Sequence, residues 1–140
     1  MIKTECLNAE WLNNEGFVRR FEEDADPSAP FHHADHVRLA FAYLCQYSVL
    51  QAIEKFANAL KRYAAARGKT KLYHETITYA YLFLIRERMQ RNPCASWEEF
   101  AQRNPDLVAS KTGALERYYR KETLDSEFAR DVFVLPDRCA

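Results

Sequence analysis

The chain has 140 residues, nearly half of them apolar, and only 3 glycines and 5 prolines, a composition that argues against a turn-rich β fold and against disorder. A chain of this length buries about two-thirds of its unfolded surface, so residues 1–140 read as a single helical domain. Twenty basic residues balance 20 acidic ones, so no global field recruits nucleic acid or anionic lipid, and the zero net charge leaves homo-oligomerisation open.

In chain order, Met1 to Cys6 lacks the apolar core of a secretory signal, and no later run approaches the roughly 18 apolar residues of a membrane span. Asn8 is expected to cap a first helix through about Glu23, with Trp11, Val18 and Phe21 on one face. Asp24 to Pro30 reads as a loop because its two prolines disfavour continuation. A second helix is predicted from about His33 to Gln46 and a third from Val49 to Arg67. The third has the cleanest period, with Val49, Ala52, Ile53, Phe56, Ala57, Leu60, Tyr63 and Ala64 inward and Glu54, Asn58, Lys61 and Arg62 outward.

Gly68 ends that helix as a left-handed cap. A fourth helix is expected from about Tyr73 to Arg91, stopping at Asn92-Pro93. Ser96 and Glu99 form a capping box for a fifth, with Glu99 returning a bond to the Ser96 backbone. Asn104-Pro105 reads as a cap followed by proline at the first helical position. Shorter turns are predicted over Asp106–Ser110, Ala114–Tyr119 and Leu124–Val132. Only Phe133-Val134-Leu135 looks extended, so the fold class is all-α, a compact bundle of four main helices plus short C-terminal ones.

Cys6, Cys45, Cys94 and Cys139 are far apart and contain no C-x-x-C pair, which excludes zinc-ribbon and thioredoxin-like readings. They read as reduced thiols of a cytoplasmic protein. No phosphate-binding glycine loop, nucleophile elbow or dinucleotide fingerprint is present. The interleaved Arg and Tyr of Arg117 to Arg120 are too few, and too closely flanked by acids, for a nucleic-acid surface.

The histidines carry the functional signal. On a wheel of about 100° per residue, His33 and His36 project together with Val37, Ala40 and Leu44, while Asp35, Arg38 and Ala42 fall on the far side. His74 lines up with Ile77, Thr78, Tyr81 and Ile85. His32 points away and is expected to be exposed. Taken together, His33, His36, His74 and Glu75 are candidate ligands for a divalent transition metal, Zn, Fe, Ni or Cu. Without metal, His74 and Glu75 are candidates for general base and orienting carboxylate, and Tyr81 for a catalytic donor. Each residue also has a structural alternative. A helix-start His can bond to backbone, Glu75 can complement the helix dipole, and an inward Tyr can be core with its hydroxyl paired.

The segments Phe31-His32-His33-Ala34-Asp35-His36-Val37 and Tyr73-His74-Glu75-Thr76-Ile77-Thr78, with the tail from Tyr118-Tyr119 to Pro136-Asp137, resemble a group of small bacterial all-α proteins. These carry [F/W]-x-H-x-x-H-[V/L] and Y-H-E-T-I-T signatures, and the resemblance covers most of the chain from Phe31 onward. It implies a bacterial origin and a tail that belongs with the histidine segments, with Ser126 and Arg130 near the site; it implies no particular activity. A looser similarity, in size and in three histidines, is to DinB-like four-helix metal proteins. Those place an H-x-x-x-H pair on a late helix, whereas the pair here is early and spaced H-x-x-H, so thiol-transferase chemistry is not carried over.

The resulting expectation is a metal-binding enzyme acting on a small molecule between two histidine-bearing helices. The alternative is a non-catalytic ligand-binding or regulatory module whose buried histidines are structural or pH-sensing.

Overall fold

The computed structural model describes residues 4–23 and 32–138, with side chains in the first segment from Asn14 onward. The expected loop from Asp24 to Pro30, the side chains of Cys6, Asn8 and Trp11, and Cys139 lie outside the described residues. Every regular element described is helical, which makes the fold all-α. The helices are α1 (Thr4–Glu23), α2 (His33–Gln46), α3 (Val49–Ala66), α4 (Glu75–Arg91), α5 (Trp97–Arg103), α6 (Pro105–Ala109), α7 (Lys121–Asp125) and α8 (Glu127–Asp131). Short 3₁₀ turns occupy Thr70–Leu72 and Leu115–Arg117. No described helix is long and apolar enough to cross a membrane.

The centre of the fold is α2, against which α1, α3, α4 and α6 all pack. Val37 and the run Leu39, Ala40, Phe41, Ala42 and Tyr43 are buried around its whole circumference. The side of α2 away from its histidines is therefore covered as well. Ala42 has no exposure, and Arg38 lays its guanidinium over the Phe17 ring of α1, 4.5 Å from the centroid. Past its first turn, a helix enclosed by four neighbours leaves no exposed residue for an amphipathic pattern to mark. Asp35 accepts from the His32 backbone N–H at 3.0 Å, and His32 is exposed as expected.

The backbone of α1 is already helical at Thr4, so Asn8 lies inside the helix rather than at its cap. The periodic face of α3 is buried through Ala52, Phe56, Ala57, Leu60 and Ala64, joined by Ala59. Gly68 takes φ +65°, the left-handed cap expected of it. Ser96 accepts from the Glu99 N–H at 3.1 Å, but Glu99 returns its bond to Ala95, one residue earlier than expected.

Pro105 opens α6, while the Asn104 side chain turns from capping to cross-linking: its amide donates to the Phe100 carbonyl and its oxygen accepts from Arg88. Arg88 also grips Asp106 with two bonds of 2.8 Å, fastening α4 to α6.

The last predicted helical stretch is broken at Ser126, which caps α8 by accepting from the Ala129 N–H at 3.1 Å. Beyond α8 the chain runs back along α4 without forming a strand. Thr76, fully buried, donates to the Ala129 carbonyl at 2.7 Å, with the Val132 carbonyl at 3.0 Å, and accepts from the Val134 N–H. Tyr119 donates to the Val134 carbonyl at 2.7 Å, and Asp137 receives both the Arg120 N–H and the Thr123 hydroxyl.

Candidate ligand-binding cavity

Three helices leave a cavity of about 280 Å³ where α2 and α3 meet the start of α4. Its floor and walls are mainly apolar, with Phe56 and Leu60 from α3 and Ile77 and Ile85 from α4. His33, His36, His74 and Tyr81 supply its polar edge, together with Lys111 from the loop after α6. The two histidine-bearing helices therefore direct their imidazoles to one space, and Tyr81 joins them. Glu75 does not. Its carboxylate accepts the Tyr73 hydroxyl at 2.5 Å and lines a separate shallow depression beside Lys61, Lys71 and Arg130.

Each imidazole is tied to the chain in its own way. His74 is the N-cap of α4, with φ −133° and ψ 111°, and shares the cavity with Ile77, Thr78, Tyr81 and Ile85, as its spacing predicts. Its Nδ1 accepts the Ile77 N–H at 3.1 Å and its Nε2 donates to the Leu124 carbonyl at 2.7 Å. Both ring nitrogens are thus committed, and the tautomer is fixed as Nε2–H. In this arrangement His74 has no nitrogen left to ligate a metal or take a proton.

His33 donates from Nε2 to the Leu107 carbonyl at 2.8 Å and meets the edge of Tyr81, with ring centroids 5.2 Å apart. This leaves Nδ1 as its acceptor nitrogen. The His36 ring packs edge-on to Tyr63 at 6.4 Å. Tyr81 spends its hydroxyl proton on the Ser110 carbonyl at 2.8 Å. Burial, reinforced by the Asp106 and Glu116 charges, pushes that phenol well above its ordinary range, which does not suit a proton donor.

Burial also lowers all three imidazoles. For His36 it acts with His33 and Lys111 to bring the pKa down to about 4. For His33 and His74 burial is opposed by the carbonyl bonds to Leu107 and Leu124 and reinforced by Lys111. At neutral pH the cavity therefore holds neutral imidazoles.

Among the described residues, no group of three His, Cys, Asp or Glu side chains is arranged to hold a metal ion. The four-residue ligand set expected from the sequence is not assembled, because Glu75 faces Tyr73 and the His74 nitrogens are taken. Ser126 and Arg130 lie on the tail next to α4, Ser126 as a cap and Arg130 at the Glu75 depression rather than in the cavity.

Sequence reasoning missed Lys111, which sits in a loop without periodicity. It also missed Thr76, whose role depends on backbone partners more than 50 residues away. No family model matches the chain, and neither a curated protein nor a solved structure matches it.

Proposed function

We propose that the protein binds a small, largely apolar molecule in the cavity between α2, α3 and α4. The observation that carries this reading is the cavity's composition: an apolar interior with a few polar side chains at one edge, the usual make-up of a ligand site. Its roughly 280 Å³ lies at the low end for such sites, so the ligand is small. A binding module fits better than acid–base catalysis, because the hydroxyl of Tyr81 and both nitrogens of His74 are engaged by the chain. A cytoplasmic location accompanies this reading, supported by the reduced thiol of Cys94.

The test is thermal denaturation of wild type and Ala64→Leu with 4-phenylbutyrate, 4-phenylbutanol and 4-phenylbutylamine at millimolar concentration. Ala64 lines the cavity and is buried, so added side-chain volume there occupies ligand space. A rise in Tm for wild type with at least one probe, reduced in Ala64→Leu, is the expected result. No rise with any of the three overturns the reading.

A further inference from the structure

Charge at the cavity narrows the class of ligand. Lys111 contributes the one ammonium to its lining, and no Asp, Glu or Arg stands among the described lining residues. Lys111 also forms no ion pair with a described carboxylate, although five other cations among the described residues pair with acids. It lines the same polar edge as His33, His36 and His74, and its charge helps to lower all three imidazoles. An unneutralised cation beside an apolar cavity is complementary to a ligand with an apolar body and an acidic head.

We propose that the cavity selects a monoanionic amphiphile, a small carboxylic acid with an aromatic or short aliphatic body, whose carboxylate pairs with Lys111. The inference rests on the binding reading above. One ammonium matches one negative charge, whereas a phosphomonoester dianion would bring a second charge to an edge whose other members are neutral rings and a tyrosine. The exposed position of Lys111 at the mouth keeps the pair partly hydrated, so neither charge bears the full cost of burial.

Calorimetric titration of 4-phenylbutyrate, 4-phenylbutanol and 4-phenylbutyl phosphate at pH 8 tests this on wild type, Lys111→Met and Lys111→Arg. Because Lys111 is exposed, both variants are expected to fold, which circular dichroism checks. Wild type should bind the carboxylate about tenfold more tightly than the alcohol, the value of one charge-assisted hydrogen bond. Lys111→Met should lose that preference, and Lys111→Arg should retain it. Equal affinities for carboxylate and alcohol in wild type overturn the charge assignment and leave the cavity reading standing. Tighter binding of the phosphate overturns the monoanion class. No binding of any probe overturns both the inference and the reading it rests on.

Discussion

The His74 imidazole joins two parts of the chain that lie 50 residues apart: its Nδ1 caps α4 through Ile77, and its Nε2 donates to the Leu124 carbonyl at 2.7 Å. The residue that looked most like a ligand or base thus holds the start of α4 against the C-terminal segment. Two residues on, Thr76 repeats the arrangement with the carbonyl of Ala129.

His74→Ala should therefore act on stability. It removes a helix cap, about 1 kcal/mol, and leaves the buried Leu124 carbonyl unpaired, about 1–3 kcal/mol more. His74→Asn, which restores a capping oxygen, should recover part of the loss. Urea unfolding of both variants measures this. A His74→Ala protein as stable as wild type would contradict the structural role, and stoichiometric metal lost with His74 would revive the metal site.

Thr76→Val keeps the approximate shape of the side chain and deletes the hydroxyl that bonds the Ala129 carbonyl and the Val134 N–H. The expected cost is about 2 kcal/mol, with Thr76→Ser much closer to wild type. Limited proteolysis should find the segment around Val134 newly susceptible in Thr76→Val. Unchanged cleavage would show that the tail is held by other contacts.

Acid should destabilise the fold before its carboxylates titrate. All three cavity histidines have folded pKa values below the unfolded value near 6.5, His36 the furthest at about 4. Between those values the unfolded chain binds protons that the native state does not, so stability is full above pH 6.5 and falls as pH drops toward 4. Depression of Asp106 by Arg88 acts lower, below its ordinary pKa of 3.8, and so leaves this window to the histidines. Denaturant unfolding at pH 8, 7, 6 and 5 should show a plateau and then a decline. His36→Phe should flatten that decline. A flat profile down to pH 5 would contradict the burial of neutral imidazoles.

The Arg88–Asp106 pair is bidentate and only partly exposed, with Asn104 adding a third bond. Asp106→Asn should cost about 1 kcal/mol, more than most surface pairs because the geometry is forked. A double-mutant cycle with Arg88→Met would isolate the pairwise part; a coupling near zero would contradict the link between α4 and α6.

Local rules were legible where one element decides its own ends and faces. The apolar period of α3, the left-handed Gly68 and the Ser96 cap all follow from neighbours within a turn. The inward aim of His33, His36 and Tyr81 followed from helical spacing in the same way. What the wheel could not register was that neighbours also cover the far side of α2, where Ala42 is buried and Arg38 lies over Phe17. The wheel aligned His74 with Ile77, Thr78, Tyr81 and Ile85, which do share the cavity, but α4 starts two residues later than expected, so His74 also caps it and Glu75 turns to Tyr73. Lys111, and the carbonyls of Leu107, Leu124 and Ala129, carry no sequence pattern, since any residue offers a carbonyl and a loop lysine has no period.

The central claim, that the cavity is a ligand site, is tested most directly by methyl-resolved NMR during titration with 4-phenylbutyrate. Ile77, Ile85 and Leu60 line the cavity, whereas Leu50 and Leu135 are 74% and 73% exposed and do not. The account predicts saturable shifts of the first three with the exposed pair unmoved. Shifts confined to the exposed leucines, or none at millimolar ligand, would contradict it.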